Sequence, residues 1–200
     1  AANSKLSDAG GPDNDTARIY AWYLSYFRVQ VLIQLGRGPD AEVALILSEA
    51  LEVDAFGTNV NTRALRGEAK LWQGRPEAAI QDFVSVIRGL EDWRMPTLFV
   101  FWPDVAHNVA MTRAHFRSYL GMAGAMLLTG DYAQAETWAQ SAEDLISEAY
   151  YNVHHPLNRQ YFFVDPDVYY ARGINLGILG AARLVNLKDP AAGTPLFDSA

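Results

Sequence analysis

The sequence predicts an all-α protein of about seven helices in antiparallel pairs. Three observations carry that. Apolar and small residues recur at spacings of three and four over long stretches. Glycine-centred turns separate these stretches. No segment alternates apolar and polar residues over enough positions to build a sheet. A chain of 200 residues suits one domain with a real core.

The elements follow in order. Residues 1–15 are polar and rich in Gly, Asp and Asn, and are expected to form a flexible N-terminal arm. "DNDT" offers cap side chains whose oxygens accept from the free amides of a first turn. "RIYAWYLSYFRVQVLIQLG" is apolar nearly all round, so a helix there is expected to be buried on most faces. "GRGPD" stops it, and Pro39 and Asp40 open the next helix, "AEVALILSEALEVD". "TRALRGEAKLWQG" has helical period and ends at Gly74. "RPEAAIQDFVSVIRGL" starts with Pro76 in its first turn and runs to about Leu90.

The pattern then breaks. Pro96 and Pro103 bracket "TLFVFW", which is expected to be short and extended. From Pro103 to Thr129 nothing interrupts a helix, which gives one rod on the order of 40 Å at 1.5 Å per residue. Gly130 ends it, and "YAQAETWAQSAEDLISEAYY" returns. "NVHHPLNRQYFFVDP" reads as a loop with an aromatic cluster. Asp165 caps and Pro166 opens a last helix, about 166–187, and residues 188–200 form a loose tail.

The composition excludes several functions. Half of the residues are hydrophobic, a fifth are charged, and the net charge is −7. An acidic chain without a basic cluster does not suit a phosphate backbone, so no nucleic-acid partner is expected. There is no cysteine, hence no disulfide, thiolate metal site or cysteine nucleophile. No apolar run approaches the roughly 20 residues that span a bilayer. The chain begins "AANSKLSDAGG". Small residues there fit the downstream side of a removed signal peptide, so a periplasmic or secreted location is expected.

No catalytic centre stands out. No serine sits in a nucleophile elbow, and "GRG" lacks the strand and lysine of a phosphate loop. His154 and His155 are adjacent in a loop, where neighbouring side chains diverge. His107 and His115 lie eight apart on one helix, too far for one ion. Asp104 and His107 share a helix face, but no spacing matches a zinc or calcium signature. Arg159, Tyr161, Phe162 and Phe163 beside the histidines could form a small-molecule pocket, but packing of a long loop explains the same aromatics more cheaply. No enzyme, metal or cofactor is expected.

Two turns superpose. "LWQGRPEAAIQDF" and "LLTGDYAQAETWA" place Gly74 on Gly130, Ala79 on Ala135 and Phe83 on Ala139. Gly67 falls on Ala123, and Val86 on Ala142. A small residue lets two helix backbones approach, and glycine at the turn supplies the left-handed conformation that ends a helix. These residues resemble the tetratricopeptide-repeat (TPR) superfamily, most closely in "GDYAQA", well in "GRPEAAIQDF", and in "ALEVD" at residues 50–54. The units would span about 20–54, 60–93 and 116–148, with two extra residues around "GRGPD" and an insertion at about 92–115. The offset of 56 residues between the second and third turns departs from the family's period of about 34.

The resemblance implies a right-handed α–α superhelix of about three helical hairpins closed by a C-terminal capping helix. First helices would line its hollow side. Carried over position by position, the lining is Tyr23, Tyr26, Gln30, Ile33 and Gln34; Asn61, Ala64, Glu68, Leu71 and Trp72; Arg117, Leu120, Gly124, Leu127 and Leu128. Tyr23, Tyr26, Gln30, Gln34, Asn61, Glu68, Trp72 and Arg117 are the expected partner-binding residues. The apolar third set requires a cover, for which "TLFVFW" and the last helix are the internal choices. In "GINLGILGAA", Gly173, Gly177 and Ala181 are four apart, and the stripe is expected to pack closely on another helix, nearest the return helix. The function that follows is a non-enzymatic scaffold or adaptor that holds another protein or peptide. The alternatives are a protein of the same fold that binds an apolar small molecule beside a transport system, and a structural subunit of a homo-oligomer or larger assembly.

Overall fold

The computed structural model describes residues 12–51, 58–90, 102–154 and 166–187. They form seven α-helices and no strand: α1 (Pro12–Gln34), α2 (Gly38–Ala50), α3 (Thr58–Trp72), α4 (Pro76–Gly89), α5 (Trp102–Thr129), α6 (Tyr132–His154) and α7 (Pro166–Leu187). Among the described residues no helix is long and apolar enough to cross a membrane. The run at 97–101, the loop at 155–165 and the tail at 188–200 lie outside the described residues. So do residues 1–11 of the expected arm and the side chains of Asp104, His107 and His154. The last four residues of the expected arm are helical. Residues 12–15 already belong to α1, because Pro12 suits a first helical turn, where no backbone amide is needed.

Three pairs are closed by the same turn. Gly36, Gly74 and Gly130 have φ of 69°, 71° and 82°. Each donates its amide three residues back, to Ile33, Leu71 and Leu127 (2.9, 3.0 and 3.2 Å). The residue after each glycine donates five back, to Leu32, Lys70 and Met126 (2.8, 3.0 and 2.9 Å). This pair of bonds satisfies the last carbonyls of the outgoing helix and requires the left-handed glycine. The same residue then accepts the first bond of the return helix, from Ala41, Ala79 and Ala135 (3.0, 3.1 and 2.9 Å), and each of those alanines is fully buried. The first turn thus has the spacing of the other two. The expected two extra residues are not at "GRGPD", since inserted residues there would break that bonding pattern. The longer spacing falls between hairpins.

The packing follows a simple rule. Each even-numbered helix contacts the odd-numbered helix before it and the one after it, and α1, α3, α5 and α7 contact one another in succession. Every second helix of a pair therefore wedges between two first helices. In the first wedge, Ala41, Ala44 and Leu45 of α2 pack with Val29, Leu32 and Ile33 of α1 and Leu65 and Ala69 of α3. Trp22 Nε1 donates to Thr62 Oγ1 at 2.9 Å, which ties α1 to α3 directly. In the second wedge, Phe83 of α4 is fully buried between Gly67 of α3 and Gly121 of α5. Asp82, 5% exposed, accepts from Arg66 Nη2 (2.7 Å) and Lys70 Nζ (2.6 Å) beneath it. The Asp82 hydrogen bond is the main reason the Arg66 guanidinium is held above its ordinary pKa.

Two expectations need correction. The half of the 92–115 insertion described here is no appendage. Residues 102–115 are the first half of α5, and Met111 and Ala114 pack with Val60, Val86 and Leu90. Nor is α1 buried on most faces. Its Tyr20, Leu24, Phe27 and Val31 are 46–74% exposed. Among the described residues, α1 has α2 and α3 as its neighbours.

Candidate interaction face

The expected lining residues stand at matching positions counted back from the three turn glycines, on α1, α3 and α5. Because those helices contact in succession, matching positions form rows across the molecule. The row of Tyr26, Ala64 and Leu120 is inner: Tyr26 is 1% and Ala64 0% exposed. Tyr26 stacks on Trp22 with ring centroids 4.9 Å apart. Tyr23 is half-buried against the same cluster, and Asn61 is 2% exposed. Tyr26 and Asn61 are thus core residues and not an open binding surface. An apolar helix does not reveal in advance which of its faces a neighbour takes.

Gln30, Glu68 and Arg117 come together as expected of one face, but they bind each other. Arg117 Nη1 donates to both Glu68 carboxylate oxygens, at 3.0 and 2.9 Å. The Gln30 amide oxygen, oriented to satisfy both atoms of the group, accepts from Arg117 Nη1 at 3.1 Å and from Nη2. The guanidinium carbon also lies 5.8 Å from the Tyr26 ring centroid, within cation–π range. With side chains only 12% and 23% exposed, the Arg117–Glu68 pair is largely shielded from solvent. It clamps α1, α3 and α5 together.

The outermost row is Gln34, Trp72 and Leu128. All three are exposed, Trp72 by 68% and Leu128 by 63%. Gln34 and Trp72 are expected partner positions that stand open, and Leu128 is an expected lining position in the same row. Gly124 and Leu120 of the apolar third set are covered from within, in part by α7. A Cβ placed on Gly124 would lie 3.2 Å from Leu71 Cδ2 and 3.8 Å from Ile178 Cδ1. Leu120 joins a cluster with Phe116, Ile146 and Ala171.

The α7 helix does pack on α6, the return helix, but not through the expected stripe. A Cβ on Gly177 would meet nothing within 4 Å, and Gly173 and Ala181 are only half-buried. The buried face carries Asn175, Leu179 and Ala182. Asn175 Nδ2 donates to the Ala139 carbonyl at 2.9 Å. Arg172 Nε reaches Glu143 at 2.8 Å, and Arg183 Nε reaches Glu136 at 2.8 Å. Glycines at a spacing of four can mark close approach, but the close contacts here are Gly67 and Gly121 against Phe83.

His115 is 5% exposed and lies against Tyr119 with centroids 4.5 Å apart, a packed core histidine. Among the described residues no three His, Asp or Glu side chains converge to hold a metal ion. Comparison with known proteins found no matching family model, curated protein or solved structure.

Proposed function

We propose that the protein is a non-enzymatic helical-repeat module that scaffolds or recruits another protein. In this reading its three hairpins and α7 form a right-handed superhelix similar to TPR arrays. Its hollow side is the face shared by α1, α3 and α5. Three turns with one bonding pattern, and one wedge rule throughout, support the architecture. The observation that carries the function is the row of Gln34, Trp72 and Leu128. Two large apolar side chains stand in solvent at matching positions, beside a polar cluster that already satisfies itself. Such surface costs about 25 cal/mol per Å² while exposed, and that free energy is recovered when a partner covers it. The interior filling of the third set by Ile178 and Leu71 favours a protein or peptide laid across the rim over an apolar small molecule sunk into the hollow.

A photo-crosslinking amino acid placed at position 72, and separately at the exposed Thr137 of α6, tests this in the protein's native source. The reading predicts a crosslinked polypeptide from position 72 and none from 137. Crosslinks from 137 alone would overturn it. A product of twice the chain mass from position 72 would make the partner a second copy.

A further inference from the structure

We infer that the outer face of α1 is a second docking surface, built to receive an amphipathic helix that presents a carboxylate. The inference is separate from the Gln34–Trp72–Leu128 row. It starts from matching positions. Leu24, Phe27 and Val31 on α1 correspond to Thr62, Leu65 and Ala69 on α3 and to Ser118, Gly121 and Ala125 on α5. All six residues on α3 and α5 are buried; Thr62, Leu65 and Ala69 meet the first hairpin, and Gly121 meets Phe83 of the second. Leu24, Phe27 and Val31 are 74%, 46% and 51% exposed. The α1 face therefore has the position and apolar character of a wedge site, and no wedge lies on it among the described residues.

Charge gives the second, independent observation. Arg66 of α3 reaches back to Glu49 of α2 (2.7 Å), and Arg172 of α7 reaches back to Glu143 of α6 (2.8 Å). Glu49 and Glu143 stand at the same distance beyond their turn glycines, Gly36 and Gly130. One junction chemistry thus occurs twice: an arginine on the receiving helix and a glutamate on the helix that wedges against it. Arg28 occupies the Arg66 position on α1. It is exposed and makes no ion pair or hydrogen bond among the described residues. The surface therefore carries both halves of a receiving face, an apolar stripe and its arginine.

A second copy fits this face poorly. The wedge faces of α2, α4 and α6 are all occupied within the chain. A two-fold pairing of α1 on itself would centre the stripe, Tyr20 to Leu35, near position 28 and bring two Arg28 side chains together. The occupant that fits is an amphipathic helix with small and leucine residues on its seam and an acidic side chain beside them, as on α2.

The probe is a synthetic peptide of the α2 sequence, residues 37–51, with a hydrocarbon staple between positions 43 and 47 to hold it helical. Fluorescence anisotropy follows its binding to the full chain. Saturable binding is expected. Val31→Glu, at an exposed position that leaves the fold intact by circular dichroism, should weaken it by more than about tenfold. Arg28→Glu should weaken it about two- to fivefold, and a Glu49→Arg peptide should restore that loss. Failure of the peptide to bind, binding insensitive to Val31→Glu and Arg28→Glu, or a charge-swapped peptide that restores nothing would each overturn the inference. So would a parent protein that sediments as a dimer and becomes monomeric on Val31→Glu, which would assign the face to a second copy.

Discussion

Alanine in place of Gly121 should destabilise the protein, although alanine is the better helix former. In an unconstrained helix interior the change gains about 1 kcal/mol. At position 121 the new Cβ would sit 2.5 Å from Cε1 and from Cε2 of Phe83, with Cζ nearer still. The ring cannot retreat. It is fully buried, and the same end of the ring also abuts Gly67, where a Cβ would be 2.5 Å from Cε1. Ordinary contact needs the ring or a helix to shift by roughly 1 Å, and overpacking of that kind costs about 1–3 kcal/mol. The net expectation is a loss of about 1–2 kcal/mol. Gly177→Ala is the control. Its Cβ meets open space, so the propensity gain stands alone and stability should rise by up to about 1 kcal/mol. Urea unfolding followed by circular dichroism reads both variants, and Gly121→Ala with Phe83→Leu should recover part of the loss. A Gly121→Ala protein as stable as the parent would refute the wedge.

Other predictions follow from the same contacts. Arg117→Ala should cost about 1–3 kcal/mol in urea unfolding, because it removes the guanidinium that pairs with both oxygens of the shielded Glu68 carboxylate. Combining it with Glu68→Ala should cost less than the sum of the two single changes. Ala135→Leu, at a fully buried alanine where α6 leaves its turn, should cost about 1–3 kcal/mol by the same assay. Glu136 is held below its ordinary carboxylate pKa by hydrogen bonds from Asn186 first and Arg183 second. A depressed folded value contributes stability above the unfolded value of 4.5 that is lost as pH falls through the folded one. The end of α7 should therefore show smaller amide protection factors, taken against intrinsic exchange at each pH, on acidification below that value. The effect is small, under about 1 kcal/mol, because the pair is part-exposed. Glu136→Gln should flatten the pH dependence.

Much of this was legible in the sequence, for reasons that particular residues show. The boundaries of α7, the three turn glycines and the all-helical class rest on local chemistry: Pro166 at a first turn, left-handed glycines, and periodicity. The burial of Ala79, Phe83 and Val86 with Ala135, Ala139 and Ala142 follows from the turn alignment. What could not be read was which neighbour each face would meet. The apolar helix α1 gave no sign that Leu24 and Phe27 would lie open while Trp22 and Tyr26 closed, since hydrophobicity alone does not choose a side. Glu68 and Arg117 are 49 residues apart, so their pairing is a property of the stack. Gly121 carries no repeat signal of its own, and its need for glycine exists only because Phe83 arrives from another helix. The equivalence of Gly36 and Ala41 with the other turns was readable, since the spacing of five is the same.

The most direct test of the central claim is the native mass of the species purified from its source, for the parent and for a Trp72→Ala, Leu128→Ala variant. Both side chains are exposed, so the variant should fold as the parent does. The account predicts a parent that carries a second polypeptide at fixed stoichiometry and a variant that has lost it while unfolding at the same urea concentration. A second polypeptide retained by the variant, or a parent carrying only a small molecule, would contradict it.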